Sequence, residues 1–292
     1  MLRTLKFAWE LIDRIRKRFD RHDVWALASH IALSFLLALF PFLIALTALA
    51  TFVGASSYSD DAVKLILDTW PKEVAAPIAA EIKRILTIRR SGILTVGFVL
   101  ALYFASSGVD SLRIGLNRAY GAVENRSWIL LKLLSLLFVV VGAATMLSFG
   151  FLLVLGPLLW KTLINYSPQE LQPWLKQITF TVDVFRIGVT ACLFIFALFF
   201  VHKLIPAGRR AFLTILPGIL VTVLLWVAGG VGFGWYLSRF SMNYVSTYGS
   251  LATAMMTLVF LYMFSVIFLL GGEINGALKS MVFRRSAGEK AA

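Results

Sequence analysis

The twenty residues from Leu251 to Leu270 contain no charged side chain, and most of them are apolar. Because an α-helix rises about 1.5 Å per residue, a helix of this length would extend about 30 Å, which is the thickness of the hydrocarbon core of a bilayer. This segment therefore predicts a membrane-spanning helix.

The composition extends this interpretation to the whole chain of 292 residues. Hydrophobic residues make up 59% of the sequence and charged residues only 15%, which is far from the balance of a soluble domain. The net charge of +13 would suggest nucleic acid in a soluble protein. Here the basic residues lie in short segments between apolar runs, where they orient helices and contact anionic lipid headgroups. We therefore expect membrane lipids as partners and no nucleic acid.

Six apolar runs are long enough to cross a bilayer, so we predict an all-α integral membrane protein with six transmembrane helices. The predicted spans are residues 25–53, 92–107, 129–159, 178–201, 212–236 and 249–272. Together they form a membrane domain over residues 25–279, and a basic tail follows at 280–292. The single cysteine, Cys192, lies inside an apolar run and excludes an intramolecular disulfide.

Two segments outside the spans have helical patterns of their own. Residues 1–24 place apolar side chains at helical spacing with basic residues between them, which predicts an amphipathic helix on the membrane surface, although a solvated charged helix is the alternative. The polar interval 54–90 contains two short helical patterns separated by Pro71. We expect this interval to form a helical extracytoplasmic loop between the first two spans.

The distribution of basic residues predicts the orientation. With six spans, both termini lie on one side of the membrane, and the segments on that side carry 18 of the 28 Lys and Arg residues. The opposite side carries 9, and Arg186 lies within a span. Because basic residues concentrate on the cytoplasmic side, both termini are expected in the cytoplasm.

Polar residues at the ends of the spans, or within them, are the candidates for function, because an ionisable group is costly there unless it is paired. They are Asp110, Arg113, Asn117, Asp183, Arg186, Glu273 and Asn275. The first three share one helical face, and Asp183 and Arg186 are three residues apart. These groups could line a transport path or form an interhelical polar network. They could equally neutralise each other locally.

Proline and glycine mark points where helices bend or approach closely. Pro41 and the Pro217–Gly218 pair are predicted kinks or hinges. Two GxxxG spacings predict close helix packing, within the chain or with a second copy. These are Gly230 with Gly234 and Gly272 with Gly276. Neither glycine set resembles a nucleotide loop, because no strand precedes it.

Four stretches in order along the chain resemble the YihY/BrkB family of bacterial inner-membrane proteins. They are ASHIALSFLLALFPFLI, SSGVDSLRIGLNRAYGAVENR, the segment from LPG to LLW, and WYLSRFSMNYVSTYGS through GGEINGAL. The resemblance implies six transmembrane helices in the bacterial cytoplasmic membrane. Members of this family have been linked to serum resistance and to envelope lipid or solute transport.

Members of the family have also carried the name ribonuclease BN, which the residues argue against. A metal-dependent nuclease needs clustered His and acidic ligands that activate water. The three histidines, His22, His30 and His202, are far apart and form no such cluster. We therefore predict no catalytic site, no metal and no cofactor.

Two functions remain for the sequence. A transporter or exporter of a lipid, amphiphile or small solute would use the polar residues as its path, since secondary transporters build their sites from polar groups on broken helices. A non-transporting scaffold or envelope-assembly factor would use the same charges as fixed interhelical pairs, and its GxxxG faces would bind a partner or a second copy.

Overall fold

The computed structural model describes residues 2–52, 91–248 and 251–291, and these residues form helices joined by short loops, with no strand among them. The helices are α1 (Leu2–Arg21), α2 (Val24–Phe52), α3 (Ser91–Tyr120), α4 (Trp128–Gly150), α5 (Gly156–Tyr166), α6 (Gln172–Leu204), α7 (Phe212–Tyr248) and α8 (Ala252–Ala291). A π-helical turn, Phe151–Leu155, joins α4 to α5. The predicted helical loop at 54–90 lies outside the described residues.

Five helical stretches in the described residues are long and apolar enough to cross a membrane, and a bent pair of helices gives up to six. The five are Val96–Tyr120, Trp128–Tyr166, Gln172–Leu204, Phe212–Phe240 and Ala252–Met281, and the pair is Trp9–Arg21 with Val24–Leu39. The predicted class, an all-α integral membrane protein, is confirmed.

The first helix, α1, meets α2 at an angle of 62°. Asp23, at the junction, has a positive φ of 52°, which ends one helix and redirects the chain into the next. Phe19 is buried and packs edge-on against Trp25, with ring centroids 4.8 Å apart. The angle between the two helices is thus held by a turn and by an aromatic contact.

The core lies between α2, α3, α7 and α8, and the most extensive helix pairing is that of α2 with α3. Fully buried side chains from all four helices meet there, namely Ile31, Leu116, Ile215, Ile219 and Leu269. Because lipid tails are as apolar as these side chains, close packing rather than escape from water holds such helices together.

The segment from α4 to α6 leans against this core and leaves most of its apolar side chains exposed. One of its contacts with the core is aromatic: Phe194 of α6 lies 5.4 Å from Trp226 of α7 between centroids, and 5.6 Å from Phe149 of α4. Phe180 and Phe185 are 78% and 72% exposed. In a membrane, lipid tails solvate such surfaces.

Several helices extend beyond the spans expected from the sequence. α3 continues from the predicted end at 107 to Tyr120, and its polar face stays helical because the side chains on it are paired. α7 runs to Tyr248, through most of the polar segment after residue 236. α8 runs past Gly272 and Gly276 to Ala291.

Candidate functional site

Polar side chains from seven segments meet at one end of the helix bundle, which we call the polar end. It combines the end of α1, the end of α3 with the following loop, the start of α4, the end of α6, the start of α7 and the end of α8. Its residues are Arg18, His22, Asp110, Arg113, Asn117, Tyr120, Glu124, Arg126, His202, Glu273 and Asn275.

Glu273 is fully buried in α8 and is held by Arg18, in α1, and by His22, which directly follows α1. Arg18 donates from Nε to Oε2 at 2.9 Å, and Nδ1 of His22 lies 2.5 Å from Oε1. Arg18 also donates through Nη2 to the carbonyl oxygen of Ala119 in α3. Glu273 therefore has the ionic partner that a buried carboxylate requires. Because Arg18 binds both Glu273 and the carbonyl oxygen of Ala119, its side chain connects α1 with α3 and α8.

Asn275, also buried, lies between α8, α7 and α3. Its Oδ1 accepts the backbone N–H of Gly218 at 2.7 Å, and its Nδ2 donates to the carbonyl oxygen of Ile215 at 2.9 Å. The same Nδ2 donates to the hydroxyl of Tyr120 at 3.1 Å. Asn275 thus fixes the start of α7 against the end of α8.

The Tyr120 hydroxyl continues this chain of hydrogen bonds to His202 in α6. Because the hydroxyl oxygen accepts from Asn275, its proton is free to donate to Nδ1 of His202, 2.8 Å away. His202 then carries its own proton on Nε2, which is buried and has no hydrogen-bond partner among the described residues. Arg210 lies over the ring of Tyr120, 4.3 Å from its centroid. Four helices and one loop therefore share a single buried polar cluster.

A second cluster joins the loop after α3 to the loop after α6. Asn117 accepts the backbone N–H of Ala207 at 2.7 Å and donates to Glu124 at 3.0 Å. Arg126 binds Glu124 through two nitrogens at 2.8 and 2.7 Å, and donates to the carbonyl oxygen of Ile205 at 2.8 Å. The hydrogen bonds from Arg126 lower the pKa of Glu124 from 4.5 to about 2, and the one from Asn117 adds to this.

Asp110 is the centre of a third group, between α3 and α4. Ser135 donates to it at 2.6 Å, Arg113 at 3.2 Å and Lys132 at 3.4 Å. Arg113 also lies 3.7 Å from Glu124, which connects this group to the second cluster. Both the local pair and the interhelical network considered from the sequence are therefore present here.

The pair of Asp183 and Arg186 lies apart from the polar end. Arg186 Nη2 is 3.1 Å from Asp183 Oδ1, within the single helix α6. The structure thus brings five of the seven predicted polar residues together and leaves these two on a different part of α6.

The glycines differ in how closely other helices approach them. A Cβ on Gly276 would collide with the carbonyl oxygen of Ala119, and one on Gly272 would lie 2.9 Å from Leu116, so this spacing brings α8 against α3. A Cβ on Gly218 would collide with Gly271 and Asn275.

By contrast, no atom of the described residues lies within 4 Å of a Cβ on Gly234, and only Phe264, at 3.9 Å, approaches one on Gly230. Pro217 lies inside α7. Pro41 lies in α2, at a position whose side chain is outside the described ones.

Sequence reasoning missed the partners of these residues. Arg18 and His22 were part of the surface helix, and Tyr120, Glu124 and Arg126 were part of a connection. One signal for a polar cluster was available in the sequence. His202 and Arg210 flank the tight turn at the end of α6, and the distribution of basic residues predicts that this turn and Glu273 lie on the same side of the membrane. In the described residues, no three His, Cys, Asp or Glu side chains lie together as a metal site requires.

These features define a multi-pass, all-helical membrane protein with an ion-paired polar end. The chain belongs to the family described as Virulence factor BrkB, whose family model matches residues 15–292. The resemblance to the YihY/BrkB family is therefore confirmed.

Two relatives support this assignment. Over 270 residues the chain is 27% identical to Putative ribonuclease-like protein YfkH of Bacillus subtilis (strain 168). The aligned region covers 91% of this chain and 94% of that protein. Over 266 residues it is 24% identical to a UPF0761 membrane protein of Chromobacterium violaceum. That alignment covers 90% of this chain and 60% of the longer relative. No solved structure matches the chain.

Proposed function

We propose that this protein is a transporter or exporter of a lipid, amphiphile or small solute in the bacterial cytoplasmic membrane. Both termini then lie in the cytoplasm. The predicted charge distribution supports this orientation, because the polar end collects the segments that hold 18 of the 28 Lys and Arg residues. The polar end is accordingly the cytoplasmic end of the bundle.

The observation that carries the proposal is the burial of Glu273 against Arg18 and His22. Replacing a buried ion pair by apolar residues of similar size is often neutral or stabilising. A contribution to stability alone therefore does not explain why a protein contains a buried ion pair. An ionisable residue within a transmembrane bundle usually belongs to a working site. Glu273 is fully buried, and its two partners, Arg18 and His22, come from the end of α1 and from the residue that follows it.

This arrangement suits a gate. The partners of Glu273 lie at the end of α1 and directly after it, beside Asp23 and the 62° bend between α1 and α2. A rotation of α1 about this junction would withdraw Arg18 and His22 together and expose the carboxylate and the polar cluster behind it. Cargo that binds the exposed groups would favour this open state, as a ligand shifts a two-state equilibrium by its differential affinity.

The test is lipid and solute flux in reconstituted liposomes. An acyl-labelled fluorescent phosphatidylethanolamine, with dithionite quenching, reports lipid movement. The variant Glu273→Gln is compared with the control Glu10→Gln, because Glu10 forms an exposed ion pair with Arg14 within α1. Transport predicts flux in the wild type and in the Glu10 variant and a loss in the Glu273 variant. Absence of flux for the lipid and for a panel of small solutes would refute the proposal.

A non-transporting scaffold is the second candidate, and a specific observation favours it. Asp110, Arg113 and Asn117 are each bound to fixed neighbours, as a rigid network requires. In the part of the chain that the structure describes, only Phe264 reaches a Cβ on Gly230 and nothing reaches one on Gly234, so a second copy could approach α7 closely there. For a scaffold, Gly230→Leu with Gly234→Leu changes the assembly state measured by cross-linking, and none of the variants affects flux.

A further inference from the structure

An apolar groove lies between α4, the π-helical turn and α6, far from the polar end. Its volume is about 480 Å³, and it is lined by Leu147, Ser148, Phe151, Leu152 and Leu193. Ligand sites in proteins typically have volumes of about 300–1,000 Å³. The groove is open to the side, so a molecule within the membrane could enter it laterally.

Arg186 lies at one end of this groove. Leu193 follows Arg186 by seven residues in α6, and residues at that spacing share one face of a helix. On the other side, Cδ of Arg186 lies 3.3 Å from the position of a Cβ on Gly156, the residue that follows the π-helical turn. The absence of a side chain at Gly156 makes room for the arginine stem.

The guanidinium of Arg186 is incompletely used by the protein. Its Nη2 binds Asp183 at 3.1 Å, while its Nε is buried and has no hydrogen-bond partner among the described residues. A buried donor without an acceptor is costly, and the site therefore favours an added acceptor. The side chain of Asp183 remains 42% exposed and available to a cation.

The depth of the pair fits a lipid headgroup. Seventeen residues separate Arg186 from Lys203 at the polar end of α6, which is about 25 Å along the helix. This distance approaches the hydrocarbon thickness of about 30 Å, so Arg186 lies near the far boundary of the bilayer. The groove residue Leu193 lies deeper, by about 10 Å, among the lipid tails.

We infer that the groove and the Asp183/Arg186 pair bind one phospholipid with a zwitterionic headgroup from the leaflet opposite the polar end. The phosphate accepts a hydrogen bond from Arg186 Nε, the ammonium group contacts Asp183, and an acyl chain occupies the groove. The carboxylate of Asp183 repels a purely anionic headgroup, which is why the zwitterion is favoured. Only the role of this lipid as cargo rests on the proposed function.

The test is the lipid retained by the purified full-length protein, measured by native mass spectrometry after delipidation and addition of phosphatidylethanolamine or phosphatidylglycerol. We expect preferential retention of phosphatidylethanolamine. In Arg186→Gln, retention falls about tenfold, because a charge-assisted hydrogen bond to phosphate is lost. Arg239→Gln is the matched control, since Arg239 is a cation near the same boundary that stacks on Trp235.

Two further variants separate the headgroup from the chain. Leu152→Trp fills the groove without touching the charged pair and should reduce the retention of both lipids. Asp183→Asn should remove the preference between them. Equal retention in the Arg186 and Arg239 variants, or equal retention of the two lipids by the wild type, would overturn the inference. Retention without flux leaves the site intact and refutes transport, whereas flux without retention refutes the site.

Discussion

Arg18, in the first helix α1, donates from Nε to Oε2 of Glu273 in α8, at 2.9 Å, and that carboxylate is completely buried. The two residues are 255 positions apart, so this ion pair ties the first helix of the chain to the last. His22, which directly follows α1, binds the other oxygen of the same carboxylate. One buried carboxylate therefore holds two side chains at the end of α1, beside the packing of Phe19 on Trp25.

Removal of Arg18 should destabilise the protein strongly. Arg18→Ala leaves Glu273 buried with His22 as its remaining basic partner at that site, and breaking a buried ion pair typically costs about 3–5 kcal/mol. Arg14→Ala is the control, because Arg14 pairs with Glu10 at the surface and should cost about 1 kcal/mol or less. Tryptophan fluorescence during thermal unfolding in detergent measures the difference.

The double variant Arg18→Ala with Glu273→Gln sharpens this test. Because it removes both charges, it should be more stable than Arg18→Ala alone. If the two single arginine variants lose the same stability, the ion pair has no structural role.

Gly276 should tolerate no side chain, whereas Gly234 should accept one. In Gly276→Ala the new Cβ would collide with the carbonyl oxygen of Ala119, and α8 would have to move away from α3. In Gly234→Ala no described atom lies within 4 Å of the new Cβ, and the better helix propensity of alanine should stabilise by up to about 1 kcal/mol. Opposite shifts in Tm are the expected result, and equal shifts would contradict the close approach of the two helices.

Glu124 should make stability depend on pH under acidic conditions. Its pKa is lowered from 4.5 to about 2, chiefly by hydrogen bonds from Arg126, so the stabilisation is complete above pH 4.5. It is lost progressively as the pH falls from about 4.5 towards about 2, because the folded protein then has to bind a proton at an unfavourable site. Tm measured between pH 6 and pH 3 should fall more steeply in the wild type than in Glu124→Gln. Parallel curves would show that this carboxylate does not contribute.

Cys192 should resist water-soluble thiol reagents in intact membranes. It is exposed on α6, at a level where the neighbouring surface is apolar, and a charged reagent does not readily enter lipid. The control is a Cys192→Ser protein with Val123→Cys, since Val123 is 77% exposed in the loop after α3. A charged methanethiosulfonate reagent, followed by mass spectrometry, should modify the loop cysteine alone until detergent and denaturant are added. Rapid modification of Cys192 in the membrane would place that face of α6 in water.

Much of the architecture could be predicted from local patterns. The charge-free run from Leu251 to Leu270 corresponds to α8, which begins at Ala252, and the alternation of basic and apolar residues before residue 22 corresponds to α1. The ends of the helices were less accessible. The predicted span ended at residue 107, with Asp110, Arg113 and Asn117 on one helical face beyond it, and α3 continues through them to Tyr120.

The two GxxxG spacings show that a local sequence pattern does not predict which helix face contacts another helix. Gly272 with Gly276 and Gly230 with Gly234 have the same spacing, yet only the first pair brings two helices of this chain into close contact. The difference arises because α8 crosses α3 at its glycines, while among the described atoms only Phe264 comes within 4 Å of a Cβ on Gly230 or Gly234. No sequence window contains that information.

The sequence alone determined that this chain forms apolar helices in a membrane, because a long charge-free run has only one environment that accepts it. It also determined which polar residues would need partners. Only the tertiary structure decided that Glu273 pairs with Arg18 and His22, since contacts across more than 250 residues depend on how helices cross. Helical periodicity fixes the face on which a side chain lies, and packing fixes the residue that it meets.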